Sequence, residues 1–174
     1  EMDRGFHILD SLCDIRIKDL LYPSAERRSD SKEEIARYGG PITLIFEYSL
    51  AKLLMKWGFI PRAMIGYSFG EYTAACLAGV FSLEDALKLG VKRNQMMVKM
   101  PVGSMMSVPL PEEELKKLLS SDIDIAAING PEFCVVSGPP EPIKKLRKDL
   151  KEKGLECYRF LRFRAGHSKM MVPF

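Results

Sequence analysis

A serine sits between two glycines in Gly66-Tyr67-Ser68-Phe69-Gly70. The apolar run Ala63-Met64-Ile65 precedes it, and Tyr72-Thr73-Ala74-Ala75-Cys76-Leu77-Ala78 follows. The first run reads as a buried strand and the second as a helix. Glycine two residues to either side of a serine, between strand and helix, is the pattern of a nucleophile elbow, a turn so tight that only glycine fits beside it. Such a turn holds the hydroxyl up at the positive end of a helix, where an oxyanion is stabilised. Ser68 is therefore the candidate nucleophile, and the backbone N–H of Phe69 a candidate oxyanion donor. The bare pattern also suits a serine in a purely structural turn, so the surrounding elements decide its weight.

Several elements must position that turn. Residues 6–21 carry Phe6, Leu9, Leu12, Cys13, Ile17, Leu20 and Leu21 at the spacing of one or two short amphipathic helices. Residues 22–34 are polar and hold proline and serine, which predicts a surface loop. A helix is expected from about Pro41 to Trp57, stopped by Gly58. After the elbow helix, which ends near Gly79, Ser82-Leu83-Glu84-Asp85 reads as an N-cap with Asp85 at the capping-box position. It opens a helix that runs to about Lys99 and carries Arg93. From residue 103 the pattern changes to strand 104–110, helix 112–120, strand 123–128, a turn at Asn129-Gly130-Pro131, strand 134–137, helix 142–153 closed by Gly154, and strand 157–163. That β-α-β-β-α-β order is the split βαβ pattern of a ferredoxin-like unit.

The bulk numbers exclude several classes. The chain has 174 residues, 47% hydrophobic and 28% charged, which fits a globular domain. A net charge of +3 with scattered basic residues does not argue for nucleic acid. No apolar run is long enough to span a membrane and no signal peptide is visible. Cys13, Cys76, Cys134 and Cys157 show no paired spacing, so reduced thiols and a cytoplasmic setting are expected. The two histidines, His7 and His167, have no cysteine or carboxylate at ligand spacing, which predicts no metal site.

The motifs then identify a family. Gly66-Tyr67-Ser68-Phe69-Gly70-Glu71-Tyr72 resembles the Gly-His-Ser-x-Gly-Glu motif of the acyltransferase domains of polyketide and fatty acid synthases and of malonyl-CoA:acyl carrier protein transacylases. Val91-Lys92-Arg93-Asn94-Gln95-Met96-Met97 resembles their arginine motif. Ala126-Ala127-Ile128-Asn129-Gly130-Pro131 and Val135-Val136-Ser137-Gly138 match their Ala-x-Asn-Gly-Pro and Val-Ser-Gly segments. Arg164-Ala165-Gly166-His167 lies where the family keeps its catalytic histidine.

The resemblance implies an α/β fold: a partial α/β-hydrolase-like core (1–102 and 165–174) carrying a ferredoxin-like βαββαβ insert (103–164). It implies a Ser68–His167 dyad, with imidazole taking the serine proton as the hydroxyl attacks a thioester. Arg93 becomes a clamp for the carboxylate of a malonyl-type group; read alone, it could equally be a solvated helix arginine. Tyr67 stands where the family usually has histidine, so it lines the substrate pocket with a different polarity. Asn129 is a ligand contact by analogy, although its sequence is first of all a turn, and Ser137 is a weaker candidate of the same kind. Arg164-Ala165-Gly166-His167 matches neither the His-Ala-Phe-His associated with malonyl nor the Tyr-Ala-Ser-His associated with methylmalonyl groups, which leaves the extender unit open.

The implied reaction moves a carboxylated acyl group from CoA to the phosphopantetheine thiol of an acyl carrier protein, in polyketide or fatty acid biosynthesis. The expected partners are that carrier protein, malonyl-CoA or a related acyl-CoA, and other synthase domains; no cofactor is bound. Two alternatives stay open: an acyl hydrolase on the same scaffold, and a non-catalytic carrier-docking fragment of a synthase. The family's N-terminal Gly-Gln-Gly strand and its C-terminal segment are not in the sequence, so residues 1–174 alone are expected to be inactive.

Overall fold

The structure, a computed structural model, describes residues 1–24, 31–160 and 164–172. It is mixed α/β and divides into two compact units, Glu1–Met96 and Met97–Phe174.

The first unit is helical. Helices α1 (Met2–Leu12), α2 (Ile17–Leu21), α3 (Ser31–Lys56), α4 (Gly70–Leu77) and the larger part of α5 (Leu83–Lys99) enclose one core. Phe6, Leu9, Ile17, Leu20, Tyr38, Ile42, Leu44, Ile45, Cys76, Leu83, Ala86, Leu87 and Val91 are buried in it. Helix α3 begins earlier than expected. Pro41 lies inside it, so residues 31–34 of the expected loop are helical, while residues 25–30 of that loop lie outside the described residues. Proline is favoured in a first turn, but the residues before it can continue a helix, and the sequence signal marked an interior position as a start. The second half of α3 leaves Leu50, Leu53 and Leu54 exposed, and Trp57, just past its end, is exposed as well.

The expected strand Ala63–Ile65 does not form. The segment is irregular, with Ile65 93% exposed. A strand exists only with a hydrogen-bonded neighbour, and no described residue pairs with this one. Its apolar composition signalled burial that this chain does not supply.

Helix α5 has the expected start. Ser82 Oγ accepts from Asp85 N at 3.0 Å and donates to Asp85 Oδ2 at 2.7 Å, while Ala86 N donates to Ser82 O at 2.9 Å. Ser82→Ala is expected to cost about 1 kcal/mol, since it orphans a first-turn N–H. Urea unfolding of the variant checks this.

The second unit runs β1 (Ser104–Val108), α6 (Glu112–Lys116), β2 (Asp124–Gly130), β3 (Phe133–Gly138), α7 (Pro140–Glu152) and β4 (Tyr158–Arg159). The four strands form one antiparallel sheet in the order β2-β3-β1-β4. On one face Met106, Val108, Cys134 and Val136 pack with Leu115 of α6 and Ile143, Leu146 and Leu150 of α7. Strand β1 is buried along its whole length. Asn129 and Gly130 belong to β2 rather than to a turn, and only Pro131 and Glu132 connect the strands. The turn chemistry of Asn-Gly was outweighed by continued pairing, since Gly130 sits opposite Phe133. Residues 161–163 of the expected last strand lie outside the described residues.

Candidate active site

In the first unit the elbow is built by a short set of hydrogen bonds. Gly70 N donates to Tyr67 O at 3.0 Å, Glu71 N to Ser68 O at 3.3 Å, and Tyr72 N to Phe69 O at 3.1 Å. The turn thus engages three successive N–H groups and, among the described residues, not that of Phe69. From the other side, Gly66 N donates to Glu71 Oε1 at 3.1 Å, so the acidic residue of the motif closes the turn. Ser68 is exposed at φ +53°, a left-handed conformation that costs a non-glycine residue about 1–3 kcal/mol. Gly66 must be glycine. A Cβ there would lie 2.1 Å from Glu71 N and 2.3 Å from Gly70 C. Gly70, expected to be equally constrained, is not: an added Cβ meets nothing within 4 Å among the described residues.

Helix α4 is tied down behind the turn, where the buried Thr73 hydroxyl donates to Glu47 Oε2 of α3 at 2.6 Å. Arg93 of α5 is half-buried, its guanidinium carbon 5.4 Å from the ring centre of Phe69 and 5.9 Å from that of Tyr72. The two rings lie 4.9 Å apart. Tyr67 is exposed. Glu71 and Tyr72 were legible in the sequence only as motif letters; their work emerges from contacts that spacing cannot show.

The second unit carries His167 and Asn129. His167 is exposed, with φ +58°. Its loop is anchored on both sides. Before it, Arg164 Nε donates to Met97 O at 3.0 Å and Nη2 to Val98 O, covering carbonyls of the last turn of α5, where a cation is favoured. After it, Lys169 N donates to Asp124 Oδ2 of β2 at 2.8 Å. Between these, Ala165 is buried and Ser168 Oγ donates to Ala165 O at 2.7 Å. Neither anchor was foreseen from the sequence. Asn129 is exposed at a register shift in β2, and Ser137 is wholly buried. A serine sealed in that way does not reach a ligand.

Burial raises the pKa of the Cys13 thiol to about 11, helped by Asp10 and Asp14, and burial also raises those of Cys76, Cys134 and Cys157. Among the described residues no group of His, Cys, Asp and Glu is arranged to hold a metal ion, and no helix is long and apolar enough to cross a membrane. His7 is exposed on α1.

Residues 11–174 match the acyl transferase domain family, and the chain belongs to it. It is 34% identical over 174 residues to the mycoketide-CoA synthase of Mycobacterium tuberculosis, covering 99% of this chain and 4% of that protein. Among solved structures, the acyl transferase domain of ZmaA is 46% identical with a TM-score of 0.79, over 99% of this chain and 41% of that one. The acyl transferase domain of SpnD, solved in complex with 2-(pent-4-yn-1-yl)malonyl, is 30% identical with a TM-score of 0.83, over 99% of this chain and 40% of that one. The chain therefore spans less than half the length of these solved domains, and a small part of the synthase.

Proposed function

We propose that this chain is part of an acyltransferase that moves a malonyl-type group from CoA to an acyl carrier protein in polyketide biosynthesis. The observation that carries the reading is the strained, exposed Ser68, next in sequence to a ring that supports Arg93. Ser68 Oγ attacks the thioester carbonyl as its proton passes to the imidazole of His167. The Phe69 N–H donates to the oxyanion as the tetrahedral intermediate forms. The C–S bond breaks, and His167 returns the proton to the departing CoA thiolate. The phosphopantetheine thiol of the carrier then attacks the acyl-Ser68 ester and restores the serine, a ping-pong sequence. Arg93 holds the distal carboxylate through paired N–H donors, and Tyr67 and Asn129 are assigned to substrate contact. Nucleophile, base and charge all come from side chains, so the reading calls for no bound cofactor.

On this reading, 1–102 with 165–174 form part of a hydrolase-like core and 103–164 a ferredoxin-like subdomain, which the sheet order β2-β3-β1-β4 supports. The malonyl derivative bound in the SpnD domain supports the substrate class. Free cysteines support a cytoplasmic setting.

The test uses the protein at the full length of the matched domains, with malonyl-, methylmalonyl- and acetyl-CoA in turn. Peptide mass spectrometry is expected to find a malonyl-type adduct on the peptide holding Ser68. No adduct from any of the three overturns the reading in favour of a hydrolase or a docking role.

A further inference from the structure

Resting on Arg93 as the carboxylate clamp, we propose that Phe69 and Tyr72 form an aromatic shelf that positions its guanidinium and so sets the preference for carboxylated over plain acyl groups. An arginine side chain has many rotamers, and a clamp is selective only if its fork is already aimed when the substrate arrives. Here two rings supply the aim. Each lies within the range of a cation–π contact with Arg93, and they lie 4.9 Å apart, so both rings attract the same guanidinium. Stacking occupies the planar face of a guanidinium and leaves its edge N–H groups to a carboxylate. Among the described residues of this unit, no carboxylate lies within ion-pair distance of Arg93.

The shelf is itself fixed. A Cβ on Gly40 of α3 would lie 3.0 Å from Phe69 Cε2, and one on Gly90 of α5 would lie 3.2 Å from Phe69 Cζ. The ring therefore fills a notch where two helices offer no side chain. Tyr72 stands one helical turn after Phe69, on α4, whose place is set by the Thr73–Glu47 bond. The residue that follows the nucleophile thus has two tasks: its N–H faces the reacting end of the substrate, and its ring supports the group that reads the other end.

The experiment loads the same full-length domain from an equimolar mixture of malonyl-CoA and acetyl-CoA and reads the ratio of the two adducts on the Ser68 peptide. Arg93→Ala is the benchmark and is expected to lower the malonyl preference on the order of 100-fold. Tyr72→Leu and Phe69→Leu keep apolar bulk without a π face, and each is expected to lower it about 3- to 30-fold, with Tyr72→Phe restoring it. A ratio unchanged in both leucine variants, while Arg93→Ala lowers it, overturns the shelf and leaves the clamp standing. A ratio unchanged in Arg93→Ala overturns the clamp and the shelf with it. Thermal unfolding of each variant identifies any that fails to fold, and Tyr72→Leu, outside the notch, keeps the test open if Phe69→Leu does.

Discussion

Gly66→Ala is expected to abolish acyl loading and to destabilise the protein by about 3–5 kcal/mol, among the largest effects of any single substitution here. The added methyl cannot be accommodated by a rotamer change. It would lie 2.1 Å from Glu71 N and 2.4 Å from Glu71 Cα, and backbone atoms at the start of a helix cannot step aside without unwinding it. The Gly66 N–H to Glu71 Oε1 bond would be lost in the same movement. Gly70→Ala is the matched control. Its Cβ meets nothing within 4 Å among the described residues, so its stability is expected to stay within about 1 kcal/mol of the parent. Melting curves of the two variants, side by side, check the contrast; equal losses would show that the motif's two glycines do the same job.

Ser68→Ala is expected to leave no acyl adduct, and His167→Ala to slow loading by about 100- to 10,000-fold, the usual worth of a positioned general base. Ser68→Gly separates chemistry from strain. It removes the same hydroxyl and also relieves the left-handed backbone at φ +53°, so it is expected to be inactive yet more stable than the parent by about 1 kcal/mol. A melting temperature at or below that of Ser68→Ala would show that the turn stores no strain at this residue. Retained loading in Ser68→Ala would move the nucleophile elsewhere.

Much of this was legible in sequence because it depends on neighbours along the chain. The elbow, the Ser82–Asp85 cap and the β-α-β-β-α-β order of the second unit all follow from local spacing. The failures share a different cause. Ala63-Met64-Ile65 has strand composition, but pairing is a property of two segments, and composition reports only one. Pro41 was read by its commonest position rather than by the residues before it. The shelf under Arg93 and the anchors of the His167 loop join residues far apart in sequence, so no periodicity could announce them. Departures from the family pattern at Tyr67 and Arg164 were visible as letters. The bonds from Arg164 to α5 carbonyls needed coordinates.

The irregular segment before the elbow bears on how the protein behaves at the bench. Phe59, Ile60, Met64 and Ile65 are all exposed, next to the exposed Trp57 that follows α3. In residues 1–174 taken by themselves, an exposed apolar run of this kind can template association with other chains and invite precipitation during expression and concentration. The same run carries its own guard. Pro61 withholds an N–H from any incoming strand, and the adjacent Arg62 places a charge at its centre, which is how gatekeeper residues interrupt aggregation-prone stretches. Replacing that pair to stiffen the approach to the elbow would therefore trade solubility for order.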